Sequence, residues 1–191
     1  MEPEALRVIR AEHQALAAML RSLTMMIKMA RDQRRPPPFD VLRAMLFYID
    51  EFPERLHHPK ETTLLFPKVR ERRPDLAAVL DALDQDHHRG EASVRELQHR
   101  LLAYELLGDE RRLDFEAAAE RYVDQYLRHM AAEESEVLPA ARDALSAADW
   151  ALLDAAVADH RDPLAGNDPS GAYAPLFQKI LRTAPAPVGL G

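Results

Sequence analysis

Two short runs of this chain place a histidine four residues ahead of a glutamate: His57 before Glu61 in LHHPKETTLLFP, and His129 before Glu133 in HMAAEESEVLP. Residues i and i+4 share one face of a helix, so each run aims an imidazole and a carboxylate in the same direction. The second run repeats the first at an offset of 72 positions for the His, the Glu and the following proline, Pro67 and Pro139. That is an arrangement of metal ligands. One such pair alone says little, because His and Glu commonly pair across a turn of an exposed helix. A pair that recurs at fixed spacing asks for more.

Two further histidines fall on apolar helical faces. His13 has Leu6, Ile9, Leu16 and Leu20 at helical spacing, and His87 has Leu80, Leu83 and Val94. The neighbouring His88 lies instead among Asp81, Asp84, Glu91 and Arg95, a solvated face. The doubled histidine at 57–58 resolves similarly: His57 has its match in His129, whereas the residue matching His58 is Met130. His58 therefore ranks below His57, as an added ligand or a neighbour of one. His99 and His160 have no partner pattern; Tyr48, Tyr122 and Tyr126 lie within helical reach of the His/Glu runs and read first as core packing, with a hydrogen bond to the ligands or a weak extra ligand as the alternative. The set is thus His13, His57, Glu61, His87, His129 and Glu133. Burying such groups unpaired would cost ~1–3 kcal/mol for each one, and a bound cation removes that cost. Imidazole with hard carboxylate and no thiolate favours iron or manganese over a structural zinc site. Four imidazoles and two carboxylates exceed the needs of one ion with an open position, and suit two.

The elements that must position these groups are helical. Apolar residues recur at helical spacing from Glu4 to about Arg31, until the RRPPP run at 34–38 stops them. A second helix begins near Phe39 and ends by Pro74, and Pro53 and Pro59 predict a kink or split close to the histidines. A third spans about Asp75 to Leu107 and stops at Gly108-Asp109; a fourth starts between Glu110 and Asp114 and reaches Leu145, kinked at Pro139. Ser146, with Asp149 three residues on, reads as the N-cap of a fifth helix to about His160. The Pro/Gly-rich remainder predicts one short helix, Tyr173 to Leu181, and a frayed tail. β-branched alternation is scarce. The expectation is an all-α fold: an antiparallel up-and-down four-helix bundle over residues 1–145, with a C-terminal helix and tail, 146–191, packed on it.

Composition narrows the partners. A net charge of -7 argues against neutralising nucleic-acid phosphates. The absence of cysteine removes disulfides, iron–sulfur clusters and thiolate sites. A charged start and the lack of any long apolar stretch predict neither a secretory signal nor a membrane span, and leave the cytoplasm as the expected compartment. The methionines Met25, Met26 and Met29 read as core, and the basic runs at 34–35 and 70–73 as solvated helix ends.

With those residues in place, the chain resembles the hemerythrin-like, or HHE cation-binding, proteins. The family pattern H…HxxxE…H…HxxxE is carried by His13, by His57 with Glu61, by His87, and by His129 with Glu133, and YIDEFPERLHHPKETTLLFP is similar to the bacterial branch. The resemblance spans about residues 5–145. It implies a four-helix bundle around a non-haem di-iron centre: two iron ions, with room for an oxo or hydroxo bridge, and manganese or zinc as substitutes. Dioxygen carriers of this family use HxxxH in the third helix and HxxxxD in the fourth. Here Glu91 follows His87 by four and the fourth helix carries HxxxE, so reversible oxygen carriage does not transfer directly. The resemblance implies a monomeric or homodimeric protein that binds or turns over peroxide, dioxygen or nitric oxide in stress defence or iron handling. The alternative is a non-enzymatic module that senses or stores iron or oxygen.

Overall fold

A computed structural model describes residues 2–158, 164 and 173–190. Among them there is no strand, and no helix is long and apolar enough to cross a membrane. The first helix, α1 (Glu4–Asp32), is followed by α2 (Phe39–Ile49). The chain continues from α2 without straightening through a π-helical stretch (Asp50–His57), the single turn α3 (His58–Lys60), a π turn (Glu61–Leu65) and α4 (Phe66–Arg72). Helix α5 (Ala77–Leu107) ends at Gly108, whose φ of 80° only glycine adopts freely. Helix α6 (Arg112–Ala132) then passes through a third π turn (Glu133–Val137) into α7 (Leu138–Ala144). α1 packs on α2 and α6, and α5 packs on α2 and α6, which closes the antiparallel four-helix bundle.

The π turns have a cause in the sequence. Proline offers no N–H, and its ring collides with the carbonyl four residues back. A turn closed by i→i+5 bonds leaves room for it. Pro53 lies inside the first π stretch, and Pro67 and Pro139 sit in the first turn of the α-helices that follow the other two. The later two share a second device: Thr63 Oγ1 donates to Pro59 O and Ser135 Oγ to Ala131 O, each at 2.6 Å. Donor and acceptor in one copy stand 72 residues from those in the other.

Apolar side chains form two cores, one on either side of a polar band. One gathers Leu20, Leu23, Leu42, Leu46, Leu97, Leu101 and Phe115, all at most 2% exposed, from α1, α2, α5 and α6. The other joins Leu6, Phe66, Val69, Leu80, Val137 and Leu138, from the opposite end of the same helices. Leu→Ala at such sites costs ~2–5 kcal/mol, enough to hold polar groups between them.

Two helices pack outside the bundle. Ser146 and Asp149 close a reciprocal capping box at the start of α8 (Ala147–Val157), and Asp154 accepts from the Ala5 backbone N–H at 2.8 Å, docking α8 on α1. Helix α9 (Ala174–Thr183) packs on α2, with Phe177 and Ile180 buried. The tail after α9 is not frayed: Ser22 Oγ donates to Pro185 O at 2.9 Å, and Leu190 N–H to Leu181 O at the same distance. His160 lies outside the described residues. Met26 is buried as expected, but Met25 and Met29 are 41% and 42% exposed, so only one of the three is core.

Candidate metal centre

The polar band lies at the level of the π turns. Glu61 and Glu133 each occupy the first residue of such a turn and are 2% and 0% exposed. Around them the structure gathers His13, His57, His87 and His129. Ligating atoms of His13, His57, Glu61 and Glu133 all lie within 4.8 Å of one another, and so do those of Glu61, His87, His129 and Glu133. The two carboxylates belong to both groups. All six residues singled out by spacing therefore meet in one place.

His58, ranked below His57 as an added ligand or a neighbour of one, meets them too. Its ring stacks on His87 at 4.2 Å between centroids and 14° between planes, and its donor atom joins those of His87 and His129 in a third close group. Consecutive residues of an α-helix diverge by about 100°. The wider π stretch that ends at His57 overrides that rule, and both His57 (6% exposed) and His58 (5%) are buried. A signal for it was present in Glu54, four residues before His58, which repeats the carboxylate–imidazole spacing in reverse order.

Four of the five rings are fixed at Nδ1 by a hydrogen bond, and the fifth is backed by a more distant carboxylate. His57 donates to Glu12 Oε2 at 2.7 Å, His13 to Glu134 Oε1 at 3.1 Å and His58 to Glu54 Oε2 at 3.1 Å. His87 donates to Thr62 Oγ1 at 2.8 Å, and Thr62 passes its own proton to Asp84 at 3.0 Å. His129 Nδ1 stands 3.5 Å from Asp86, which Gln125 holds at 2.8 Å. The backing groups follow the repeat. The residue before His13 backs His57, and the residue before His87 backs His129. The residue after Glu133 backs His13, and the residue after Glu61 backs His87. Such outer contacts fix the tautomer and turn Nε2 toward the centre. Glu54 is held in turn by Tyr126, which donates to Oε1 at 2.7 Å, and by Tyr122 at 3.4 Å, so these tyrosines do more than pack. Gly90 makes room for this carboxylate: a Cβ there would stand 2.2 Å from Glu54 Oε2.

The centre is left with buried atoms that nothing in the protein satisfies. Both oxygens of Glu61, both of Glu133 and His57 Nε2 lack a hydrogen-bond partner. His87 Nε2 and His129 Nε2 stand 3.0 Å apart. Two nitrogens bound at right angles to one cation through ~2.1 Å bonds would be about 3.0 Å apart. The carboxyl groups of Glu61 and Glu133, with Glu12, Asp86 and Glu134 behind the rings, are the hard oxygen donors that divalent ions of this kind require. The donor set fits such a pair.

Protonation divides the rings into two kinds. Burial disfavours a charged His13, yet the carboxylates of Glu133 and Glu134, each 3.1 Å from one of its ring nitrogens, raise it to about 9. His57, equally buried, is also raised, by Glu61 and Glu12. Burial, reinforced by the neighbouring rings, pushes His58 and His87 well down, so both are neutral and ready to ligate. Burial likewise raises Glu54, to about 7, against its phenol donors. Protons and a cation compete for the same inward atoms.

The remaining histidines stand apart. His88 is exposed and bonded to Asp84 O at 2.6 Å, and His99 borders a surface groove beside Arg95 and Leu102. A cavity of about 20 Å³ opens beside His13 and His57, walled by Leu16, Phe52, Leu56 and Met130.

Residues 4–141 match the family model described as the hemerythrin HHE cation binding domain. No curated protein and no solved structure gives a significant match.

Proposed function

The chain belongs to the hemerythrin HHE cation-binding family, and on that premise we propose that its buried centre holds two metal ions, iron foremost, and binds or turns over a small oxidant. The observation that carries this reading is the sharing of Glu61 and Glu133 between two groups of donors, with all four of their buried oxygens facing imidazole nitrogens and none accepting a hydrogen bond. His13 and His57 would hold one ion, His58, His87 and His129 the other, and the two carboxylates would serve both. His58 thus takes the place of the imidazole missing from the HxxxH spacing of oxygen carriers.

Two bound irons would supply Lewis acidity and one-electron redox chemistry toward dioxygen, peroxide or nitric oxide. The protein's own part is orientation and exclusion. Glu12, Glu134, Glu54 and Thr62 hold Nδ1 of their rings so that Nε2 faces inward. Leu16, Phe52, Leu56 and Met130 line the side open to a ligand. A cavity of about 20 Å³ exceeds the ~10–15 Å³ that one water requires. It admits a diatomic molecule or peroxide and turns away organic substrates. That size suits a small oxidant, and a role in oxidative or nitrosative stress is the setting in which such chemistry would serve.

The test is to load the protein anaerobically with ferrous iron and mix it separately with hydrogen peroxide, dioxygen and nitric oxide. A charge-transfer band and rapid loss of one of these is the expected result. An iron-loaded protein whose spectrum ignores all three would instead favour iron storage.

A further inference from the structure

The internal repeat is broken at one position that matters to a cation. His57, Glu61 and Pro67 recur as His129, Glu133 and Pro139, but His58 recurs as Met130. Each of these residues serves the half of the centre across from its own copy. His58 joins His87 and His129, the rings of the second copy, within 4.8 Å. Met130 lines the cavity beside His13 and His57, the rings of the first. One half therefore offers three imidazoles and the other two; Glu61 and Glu133 group with His87 and His129 on one side and with His13 and His57 on the other, and His58 joins through the rings of His87 and His129.

The third imidazole is free to ligate. Tyr126 Oη lies 3.2 Å from His58 Nε2, but its single proton goes to Glu54 Oε1 at the shorter 2.7 Å. The lone pair of His58 Nε2 remains. Met130 cannot replace it, because a thioether is a soft donor with little affinity for hard divalent ions among carboxylates.

Resting on the two-ion reading above, we propose that the halves load in a fixed order: the first ion enters at His58, His87 and His129, and the second at His13 and His57. Two effects set the order. The half that contains His58 has one more strong donor. Once it is filled, the shared carboxylates have already met a dication, so the second ion finds a less negative site. The His58/Met130 break converts a nearly symmetric centre into two unequal positions, each beside a cavity of about 20 Å³.

Anaerobic titration of the metal-free protein with cobalt(II), followed by calorimetry and visible absorption, reads the order directly. Two phases of one ion each, at least ten-fold apart in affinity, are expected. His58→Ala should weaken the first phase by ten-fold or more and spare the second, and His13→Ala should do the reverse. Met130→His supplies the missing imidazole in place of a buried thioether and should tighten the second phase until the two merge; Met130→Leu, which keeps the site apolar, should leave both where they are. A single unresolved phase in the wild type overturns the order, as does a first phase that depends on His13 and not on His58. Binding of no cobalt overturns the two-ion reading as well. Two ordered phases in a protein whose iron form ignores every oxidant uphold the order and reject the oxidant chemistry.

Discussion

Replacing Glu133 by glutamine separates a metal ligand from a structural acid. The residue is fully buried, with Oε2 3.1 Å from His13 Nε2 and Oε1 3.5 Å from His129 Nε2, so it faces both halves of the centre. Burial first, and then the charge of Glu61, raise its carboxyl above the usual range, so the ionised form is disfavoured in the metal-free fold. A group raised on folding contributes stability at low pH and loses it as pH climbs through the folded value. An amide escapes that loss, so at neutral pH the metal-free variant should be at least as stable as metal-free wild type. The loaded protein behaves oppositely. At free metal a hundred times the dissociation constant each ion contributes about 2.7 kcal/mol, and two contribute ~5 kcal/mol. At ~2–4 °C per kcal/mol for a chain of this size, loading raises the melting temperature of the wild type by ~10–20 °C. Glu133→Gln should keep less than half of that rise. Thermal melts with chelator and with excess ferrous iron, under anaerobic conditions, measure both terms of the comparison. Equal rises in wild type and variant, or a metal-free variant that melts well below its parent, would refute the assignment.

Three other changes test the supports of the centre. Gly90→Ala would place a methyl against Glu54, 2.2 Å from Oε2; releasing Glu54 from His58 and Tyr126 should cost ~1–3 kcal/mol in chemical denaturation and shift the visible spectrum of the cobalt form, whereas an unchanged spectrum would show that Glu54 does not orient His58. Pro67→Ala returns an N–H that can reach the carbonyl of Thr63 and close a regular α-turn; metal affinity should fall ten-fold or more with helix content by circular dichroism unchanged, and unaltered affinity would mean that the π turn does not aim Glu61. Ser146→Ala removes the cap of α8 and should cost ~1 kcal/mol in urea unfolding. Asp149 is held well below the usual carboxylate range by Ser146 and then Lys68, so its contribution is present above about pH 3.9, the unfolded value, and is lost as pH falls through the folded one. Asp149→Asn should flatten that acid loss, and an identical acid limb in the variant would count against the capping box.

Much of this architecture was legible in the spacing of apolar residues and breakers. The 72-residue repeat and the apolar neighbours of His13 and His87 single out six residues that the structure brings together, because amphipathic α-helices obey a 3.6-residue period along most of their length. The repeat leaves His58 open, as an added ligand or a neighbour of one, because Met130 takes its place in the second copy. A regular helix cannot point consecutive residues at one centre, and the π stretch through Pro53 does so only because the extra residue per turn changes the angle between them. Pro53, Pro59, Pro67 and Pro139 announced disturbed helix geometry, but not that the disturbance would be π-helical. The roles of Glu12, Thr62, Asp86 and Glu134 were hidden for another reason: each backs a histidine on a different helix, and such pairing depends on how helices are rotated in the bundle. The described tail was misread because composition reports what a segment cannot bury, and not that Ser22 offers Pro185 a hydrogen bond.

The central claim is that one buried site holds two metal ions between shared carboxylates. The most direct measurement is the iron content per chain after anaerobic reconstitution and removal of loosely bound metal, in the wild type and in a Glu61→Gln, Glu133→Gln double variant. The account predicts two irons per chain in the wild type and none retained in the double variant. One iron or none in a folded wild type, or two in the double variant, would contradict it.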